Sequence, residues 1–306
     1  MVLRQAFLTL SNSRELQDVA LHNRAARKFA LRFVAGETLD HAVRAIRALN
    51  QQGIMATVDH LGENVTDSRA AVAAADVYLE ILDRIHAERL NSNVSLKLTQ
   101  MGLDIDEELC YRNVARICEH AKELNNFVRI DMESSAYTER TLNIFRRLWH
   151  EAGYRNVGVV LQAYLYRTEN DVREMNRIGA RVRLCKGAYN EPPTVAFPRK
   201  ADVDANFARL TRLLLTEGNY PAIATHDERL INYTKRFAAA KGIAASRFEF
   251  QMLYGIRREL QLELVRQGYN MRVYVPYGTE WYPYFMRRLA ERPANVVFVV
   301  SSLFKR

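Results

Sequence analysis

Cysteine, long apolar runs and linkers rich in Gly, Pro or Ser are all scarce in this 306-residue chain. Its three cysteines, Cys110, Cys118 and Cys185, are too few for a disulfide-rich secreted scaffold and favour a reducing compartment. No apolar run approaches the roughly 20 residues that a membrane-spanning helix needs. The N-terminus becomes charged before an apolar signal segment forms. We therefore expect a soluble, cytoplasmic protein.

Several motifs of known chemistry are absent as well. No G-x-G-x-x-G follows the first predicted strand, which weakens the case for an open nucleotide-binding sheet. No H-x-H or H-E-x-x-H spacing occurs, so we predict no metal site. The net charge of +9 comes from 44 Lys+Arg against 35 Asp+Glu. Because basic residues alternate with acidic ones along the predicted helices, we do not expect nucleic-acid binding.

Eight short β-branched runs alternate with amphipathic helical stretches along the chain. The predicted strands cover residues 54–59, 94–98, 127–132, 157–162, 181–185, 222–225, 248–253 and 271–275. A helix-stopping glycine precedes several of them, as in QQGI, EAGY and RQGY. Repeated βα units with right-handed crossovers close most simply into a (β/α)8 barrel, which commonly uses about 250 residues. An open doubly wound sheet is the alternative.

Two segments lie outside this repeat. Residues 14–34 predict a helix before the first strand, within an N-terminal helical segment of residues 1–50. The barrel is expected over residues 51–295, followed by a C-terminal tail of residues 296–306. Within the tail, residues 296–300 have the composition of a ninth strand, and we interpret them as a segment that packs on the barrel.

Every predicted strand ends in side chains that are capable of chemistry. In chain order these are Asp59 and His60, Lys97 and Thr99, Asp131 and Glu133, Gln162, Arg183 and Lys186, Thr225 and His226, Gln251, and Tyr274. In a parallel barrel the C-terminal strand ends and the loops after them build the active site. The sequence therefore predicts a functional site at that face.

The two lysines among these residues, Lys97 and Lys186, allow more than one interpretation. A desolvated lysine acts as a nucleophile, which would indicate a Schiff-base aldolase. Alternatively, each lysine binds an anion or pairs with Asp131 or Glu133, and neither role needs a depressed pKa. A third hypothesis is a basic binding module whose barrel carries no chemistry.

The last predicted helix carries four polar residues on one face. Tyr284, Arg287, Arg288 and Glu291 stand at positions i, i+3, i+4 and i+7. One interpretation is an exposed salt-bridge stripe, which contributes little to stability. The other is a clamp in which two arginines bind a small carboxylate through paired hydrogen bonds. The spacing alone does not choose between them.

Taken together, these segments resemble the proline dehydrogenases, FAD-dependent enzymes that oxidise L-proline to Δ1-pyrroline-5-carboxylate. The resemblance covers about residues 54–295 and rests on stretches in the family's order, namely VSLKL, IDMESS, VLQAYLYRT, VRLCKGAYNE, IATHD, FEFQMLYG, RVYVPYG and YFMRRLAER. It implies a distorted (β/α)8 barrel with FAD at the C-terminal strand ends. Our hypothesis for the reaction is that the ring C5–N bond of proline is oxidised by hydride transfer to flavin N5, and that no side chain needs to act as a strong base.

For the substrate, the resemblance implies a carboxylate clamp made by Arg287 and Arg288, with Lys97 as a third positive group. Asp131 matches a carboxylate that the family places near this lysine. Glu63 matches an acid that pairs with the first of the two arginines when the site closes.

The resemblance also implies the ring pocket and its specificity. Leu253 and Tyr274 match residues that line the proline ring. Tyr284 matches a position where proline-specific members keep tyrosine and hydroxyproline-preferring relatives carry a smaller residue. Tyr254 is a departure, because some relatives have histidine there, and contacts near the adenosine are expected to differ.

For the cofactor, the resemblance implies that Gln162 bonds to the flavin ring edge and that Arg183 lies near its N5 side. Lys186, Gly187 and Ala188 match the residues that support the ribityl and pyrophosphate groups. The full set of expected FAD-binding residues is Gln162, Arg183, Lys186, Gly187, Ala188, Thr225, His226, Gln251 and Glu291.

Further partners follow from the family alone. Its members give electrons to ubiquinone or a related membrane quinone, so the resemblance implies a peripheral contact at the inner face of the cytoplasmic membrane, for which residues 296–306 are the candidate. The chain is too short for a fused aldehyde dehydrogenase. A monofunctional enzyme is therefore expected, with its product passed to a separate pyrroline-5-carboxylate dehydrogenase.

Overall fold

Eight parallel strands pair in chain order and close into a barrel in the computed structural model, which describes residues 31–63 and 65–291, the last three of them by backbone alone. Closure is complete because the first strand is hydrogen-bonded to both the second and the eighth. The strands are β1 (Met55–His60), β2 (Ser92–Leu96), β3 (Val128–Ile130), β4 (Val157–Gln162), β5 (Arg181–Cys185), β6 (Ala222–Ala224), β7 (Glu249–Leu253) and β8 (Asn270–Tyr277).

Amphipathic helices alternate with these strands. They are α1 (Leu39–Asn50), α2 (Ser68–Ala87), α3 (Glu107–Glu123), α4 (Ser135–Arg146), α5 (Thr168–Ile178), α6 (Lys200–Glu217), α7 (Glu228–Ala240), α8 (Arg258–Arg266) and α9 (Trp281–Glu291). A π-helical turn, Arg147–Glu151, extends α4, and a 3₁₀ turn, Ala245–Arg247, precedes β7. The predicted (β/α)8 barrel is confirmed.

The ends of the strands differ from the prediction by a few residues. β2 begins at Ser92, earlier than the β-branched run, and stops before Lys97. β3 is limited to Val128–Ile130, although its apolar run is longer. The length of each strand is limited by its pairing with both neighbouring strands. Composition alone does not predict where this pairing ends.

The barrel is distorted at the point where it closes. α1, which precedes β1, packs against the outer faces of β1 and β8, the place that the helix after β8 fills in a regular barrel. α9 instead lies beside the C-terminal ends of the strands, where Arg287 reaches the loop after β1. This exchange brings the last helix to the functional face.

The segment before α1 holds α9 in place. Phe33 and Val34 are buried with Trp281 and Phe285 of that helix. The predicted helix over residues 14–34 falls mostly outside the described residues, and its final part, residues 31–34, is a turn. The strand-like segment 296–300 lies outside the described residues.

The interior of the barrel is unusually polar for this fold, whose core is commonly filled by branched apolar side chains. Three charged residues occupy the half nearer the N-terminal strand ends, namely Arg129, Glu249 and Arg272. Arg129 and Glu249 are buried, and the side chain of Arg272 is 11% exposed. Gly158 leaves room for one of them, since a Cβ there would come within 2.8 Å of Arg129 Nη1. The large apolar core lies instead between the strands and the surrounding helices.

Candidate active site

Asp131, directly after β3, is the hub of the C-terminal face. Its Oδ1 accepts hydrogen bonds from Ser95 Oγ at 2.6 Å and from Arg183 Nη1 at 2.6 Å. Its Oδ2 accepts one from the Tyr274 hydroxyl at 2.9 Å. Burial and the charge of Asp131 raise the pKa of Tyr274 well above its usual range, so this phenol remains a donor.

Lys97, directly after β2, lies among three carboxylates. Its Nζ is 3.2 Å from Asp59, 3.8 Å from Glu63 and 4.0 Å from Asp131. The Tyr274 hydroxyl is 3.4 Å away. Burial opposes the charge of Lys97, but Asp59, Glu63 and Asp131 outweigh it and raise the pKa of the amine. Lys97 is therefore a fixed positive charge.

Glu63, in the loop after β1, joins that loop to α9. Arg287 donates to both of its oxygens, from Nη1 at 3.0 Å and from Nη2 at 2.5 Å. Burial favours the neutral acid, but Arg287 and Lys97 reverse this and lower the pKa of Glu63. The pair is a bidentate ion pair whose side chains are 12% and 16% exposed.

An apolar cluster of side chains adjoins these charges. Tyr274 and Tyr284 are buried in one cluster, and Leu253 packs against it. Arg288 lies over the Tyr284 ring, with its guanidinium carbon 5.1 Å from the ring centre. Two arginines of α9 thus flank an aromatic and aliphatic wall.

Glu133 is a second buried acid beside this cluster. It accepts hydrogen bonds from the Thr99 backbone at 3.1 Å and the Thr99 hydroxyl at 2.7 Å. Burial raises its pKa to about 7, against the effect of the Thr99 hydrogen bonds. The group is therefore able to titrate near neutral pH.

Unsatisfied polar atoms line the same face at β4 and β5. Gln162 Oε1, Arg183 Nε and Arg183 Nη2 are buried and have no hydrogen-bond partner among the described residues. Because buried polar atoms are rarely left unpaired, these three indicate a bound group with both donors and acceptors.

Lys186 and the start of α7 form a charged network at the rim. Lys186 Nζ is 2.5 Å from Asp204 and 3.0 Å from Asp227. Lys200 and Arg229 reach the same two carboxylates, so three cations face two anions. The site retains one excess positive charge beside a helix N-terminus.

The loop after β5 packs tightly over the end of β4. Gly187 has φ +111°, and a Cβ there would come within 2.3 Å of the Tyr164 ring. Only glycine suits this close approach and backbone conformation. Ala188 follows it in the same loop.

The ends of β6 and β7 are joined by hydrogen bonds. The Thr225 backbone donates to the Gln251 carbonyl at 3.2 Å, and His226 Nε2 accepts from the Leu253 backbone at 3.0 Å. The side chain of Gln251 donates to Glu249. The side chain of Glu291 lies outside the described residues.

The sequence matches the family described as "Proline dehydrogenase" over residues 42–301. The chain belongs to the proline dehydrogenase family. It is 46% identical over 306 residues to proline dehydrogenase 2 of Bacillus subtilis, with all of both chains covered. It is 44% identical over 305 residues to the proline dehydrogenase of Deinococcus radiodurans, covering 99% of this chain and 98% of that one.

A larger protein of known structure shares the barrel. Proline utilization A from Bdellovibrio bacteriovorus, inactivated by N-propargylglycine, superimposes with a TM-score of 0.81 at 27% identity. The match covers 87% of this chain and 33% of that one, so the proline dehydrogenase barrel described above corresponds to about a third of the larger protein.

Two predictions about charged residues of this proline dehydrogenase are now decided by contacts. For each lysine we expected either anion binding or a pair with Asp131 or Glu133, and the second alternative is wrong for Lys186, which pairs with Asp204 and Asp227. For Lys97 it holds only weakly, because Asp59 is nearer than Asp131. The position of a lysine after a strand does not predict which helix supplies the carboxylate that pairs with it.

The exposed salt-bridge stripe proposed for the last helix was also wrong. Tyr284 is 5% exposed, and Arg287 pairs with Glu63 from another element. The helix lies on the strand ends, so the face that would be exposed in a regular outer helix is buried here.

Two residues of the site were missed. Ser95 points inward two positions before Lys97, and the period of two in a strand would have found it. Tyr189 follows Gly187 and Ala188, and partial burial together with Glu63 raises its pKa. The only sequence signal for Tyr189 was its place within VRLCKGAYNE.

Two other kinds of site are absent from the part of the chain that the structure describes. No helix in that part of the chain is long and apolar enough to cross a membrane. No group of three or more His, Cys, Asp or Glu side chains there is arranged to hold a metal ion.

Proposed function

We propose that the protein oxidises L-proline to Δ1-pyrroline-5-carboxylate with FAD as its cofactor. The observation that carries this proposal is the juxtaposition at the barrel mouth of fixed cations and an apolar wall. Lys97, Arg287 and Arg288 supply the positive charge, and Leu253 and Tyr274 supply the wall. A small amphipathic amino acid has a carboxylate and an apolar ring that match these two parts.

Arg287 and Arg288 would bind the proline carboxylate, and Lys97 would add a third charge. Arg287 is held by Glu63, so the carboxylate would share this arginine or displace the glutamate. Because a planar guanidinium binds a carboxylate through two parallel hydrogen bonds, the clamp would also orient the ring. Tyr284 would limit the space beside the ring and so disfavour hydroxyproline.

The residues present fit a flavin. The unpaired buried atoms of Gln162 and Arg183 offer one acceptor and two donors to a heterocycle with donor and acceptor edges. The excess cation around Lys186 and the backbone at the start of α7 suit a pyrophosphate. Gly187, Ala188, Thr225, His226, Gln251 and Glu291 complete the proposed cofactor-binding set.

When bound, FAD would supply the redox chemistry by accepting hydride from the substrate ring. The chain's own residues would hold the carboxylate, exclude water and keep the substrate amine beside Asp131 and Tyr274. We assign no side chain as a base, since loss of a proton from the amine to water is sufficient.

The electron acceptor and the next enzyme are also part of the proposal. We infer a membrane quinone as acceptor, reached through a peripheral membrane contact, and a separate pyrroline-5-carboxylate dehydrogenase as the consumer of the product. Family membership supports both, and no described residue adds to that support.

The aldolase hypothesis is disfavoured by charge. A Schiff-base lysine needs a neutral amine at working pH, whereas three carboxylates raise the pKa of Lys97. Lys186 is bound to two carboxylates. Neither environment favours a nucleophilic amine.

Turnover of proline tests the proposal. Purified protein with added FAD and an artificial electron acceptor should convert L-proline to the cyclic imine, detected by mass spectrometry. Absence of product under these conditions would contradict the proposal. Borohydride trapping of a carbonyl substrate on Lys97 or Lys186 would support the aldolase instead.

A further inference from the structure

The loop between β5 and α6, residues 186–199, has an anchor outside the proposed substrate and cofactor contacts. Glu191, near its middle, accepts from the Ser135 backbone at 2.7 Å and also from the Ser135 hydroxyl. It accepts a third hydrogen bond from the Tyr164 hydroxyl at 3.1 Å. One carboxylate therefore connects the loop after β5 to the start of α4 and to the loop after β4.

The helix that Glu191 contacts lacks a cap of its own. Ser134 precedes α4 but makes no side-chain capping bond, and the first turn of α4 contains no acidic residue. α2 and α3, in contrast, are capped by their own Asp67 and Asp106. Glu191 therefore supplies from a distant loop the acceptor and negative charge that a helix N-terminus favours.

The anchored loop reaches the proposed substrate site. Tyr189 stands two residues before Glu191 in the loop after β5, at the same ends of the strands as the Glu63–Arg287 pair. The charges of Glu63 and Arg287 act on its phenol and influence its pKa. On the other side of Tyr189, Gly187 is pressed against the Tyr164 ring. The position of Tyr189 is thus fixed from both ends of a short stretch of backbone.

We propose that Glu191 is a positioning residue, which ties the loop 186–199 to α4 and so holds Tyr189 at the proposed substrate site, near the Glu63–Arg287 pair. This inference rests on the proposed function for its catalytic readout. It assigns Glu191 no contact with the substrate or with the cofactor.

A double variant separates positioning from simple helix capping. Glu191→Ala removes the tether and the cap together, whereas Ser134→Asp restores a local cap to α4 alone. Glu191→Ala should raise the KM for L-proline by roughly tenfold, with a smaller change in kcat, because Tyr189 is misplaced rather than lost. In Ser134→Asp/Glu191→Ala the melting temperature should recover while KM stays high.

Hydrogen exchange provides a readout that does not depend on turnover. Peptides from residues 186–199 should exchange faster in Glu191→Ala and in the double variant, and those from the first turn of α4 only in the single variant. The exchange measurement tests whether Glu191 holds the loop in place, even if the protein does not oxidise proline. Glu191→Gln keeps an acceptor for Ser135, so its KM for L-proline and its hydrogen exchange should both lie between those of wild type and Glu191→Ala. It replaces the alanine variant if that variant does not fold.

Two results would overturn the proposal. One is a KM that recovers together with the melting temperature in the double variant, which would make Glu191 a helix cap only. The other is wild-type exchange of residues 186–199 in Glu191→Ala or Glu191→Gln.

Discussion

The two halves of the barrel interior are both polar, yet their charged groups bond to different partners. In the half nearer the N-terminal strand ends, Arg129 donates to the carbonyls of Val159 and Arg181, and Arg272 donates to the carbonyl of Ala56 as well as to the Glu249 carboxylate. In the half at the mouth, Arg183 and Lys97 bond to the side chains of other residues.

This difference separates charges that hold the fold from charges that are available to a ligand. Backbone carbonyls of the strands cannot move away without breaking the barrel. A side-chain partner such as Glu63 can rotate away from its arginine, and an anionic group of a ligand can then take its place. Two unpaired buried atoms of Arg183 lie in the mouth half, against one of Arg129, Nε, in the other half. We therefore expect substitutions to cost mainly stability in the lower half and mainly substrate binding at the mouth.

The largest expected effect is on stability, in the lower half. Arg272→Met would leave Glu249, which is 2% exposed, as a buried charge without its ion-pair partner. The free energy of unfolding should fall by about 3–5 kcal/mol, as measured by denaturant titration. Adding Glu249→Gln should recover part of this loss. A loss below about 1 kcal/mol in the single variant would show that the lower charges do not hold the fold.

The next effect is on binding, at the mouth. Arg288→Ala should lower kcat/KM for L-proline by about 30-fold, mainly through KM, because it removes about 2 kcal/mol of charge-assisted hydrogen bonding. The melting temperature should change little. Arg173→Ala, on the exposed surface of α5, is the matched control. A wild-type KM with normal flavin content would contradict the clamp.

Glu133 should be an exception at the mouth, because its expected effect is on stability and depends on pH. Burial raises the pKa of Glu133 to about 7, from an ordinary value near 4.5. The folded state therefore binds a proton that the unfolded state releases, so this contribution to stability is present below about pH 4.5 and is lost as pH rises to about 7. The loss should total about 3 kcal/mol.

Glu133→Gln isolates this contribution. Denaturant titrations at about pH 5 and about pH 8 should show wild type losing about 2–3 kcal/mol relative to the variant. His60, whose pKa is lowered by burial, titrates in both proteins and cancels in the difference. Parallel pH profiles would show that Glu133 is ionised throughout.

The smallest effect is on specificity. Tyr284→Ser should raise the ratio of kcat/KM for hydroxyproline to that for proline by roughly tenfold, because it opens space beside the ring. Tyr284→Phe keeps the ring volume and should leave the ratio near that of wild type. An unchanged ratio in Tyr284→Ser would remove Tyr284 from the specificity argument.

The sequence predicted the barrel well because its signals are local. β-branched runs recur once per βα unit, helix-stopping glycines precede several of them, and all eight predicted strands overlap the observed ones. The strand-end rule also placed Lys97, Asp131 and Tyr274 on one face. Their mutual contacts, at 2.9 Å and 3.4 Å, needed only the barrel to close.

Partners that come from other elements were not predictable in the same way. Lys186 pairs with Asp204 of α6 and with Asp227, and Arg287 pairs with Glu63 only because α9 leaves the outer layer. In each pair the two residues are far apart in the sequence, and the periodic pattern of a helix or strand does not predict such contacts. Resemblance to the family indicated the Glu63 pair, whereas the residues alone left the α9 arginines undecided.

Anaerobic reduction of the purified protein by L-proline tests most directly whether the charges at the mouth act on substrate. Wild type loaded with FAD should be yellow and lose its visible absorbance when L-proline is added without oxygen. Arg288→Ala should need about 30-fold more proline for the same bleaching, and Arg272→Met, at a temperature where it is folded, should need about as much as wild type. A protein that binds no flavin, or whose flavin L-proline leaves oxidised, would contradict the account.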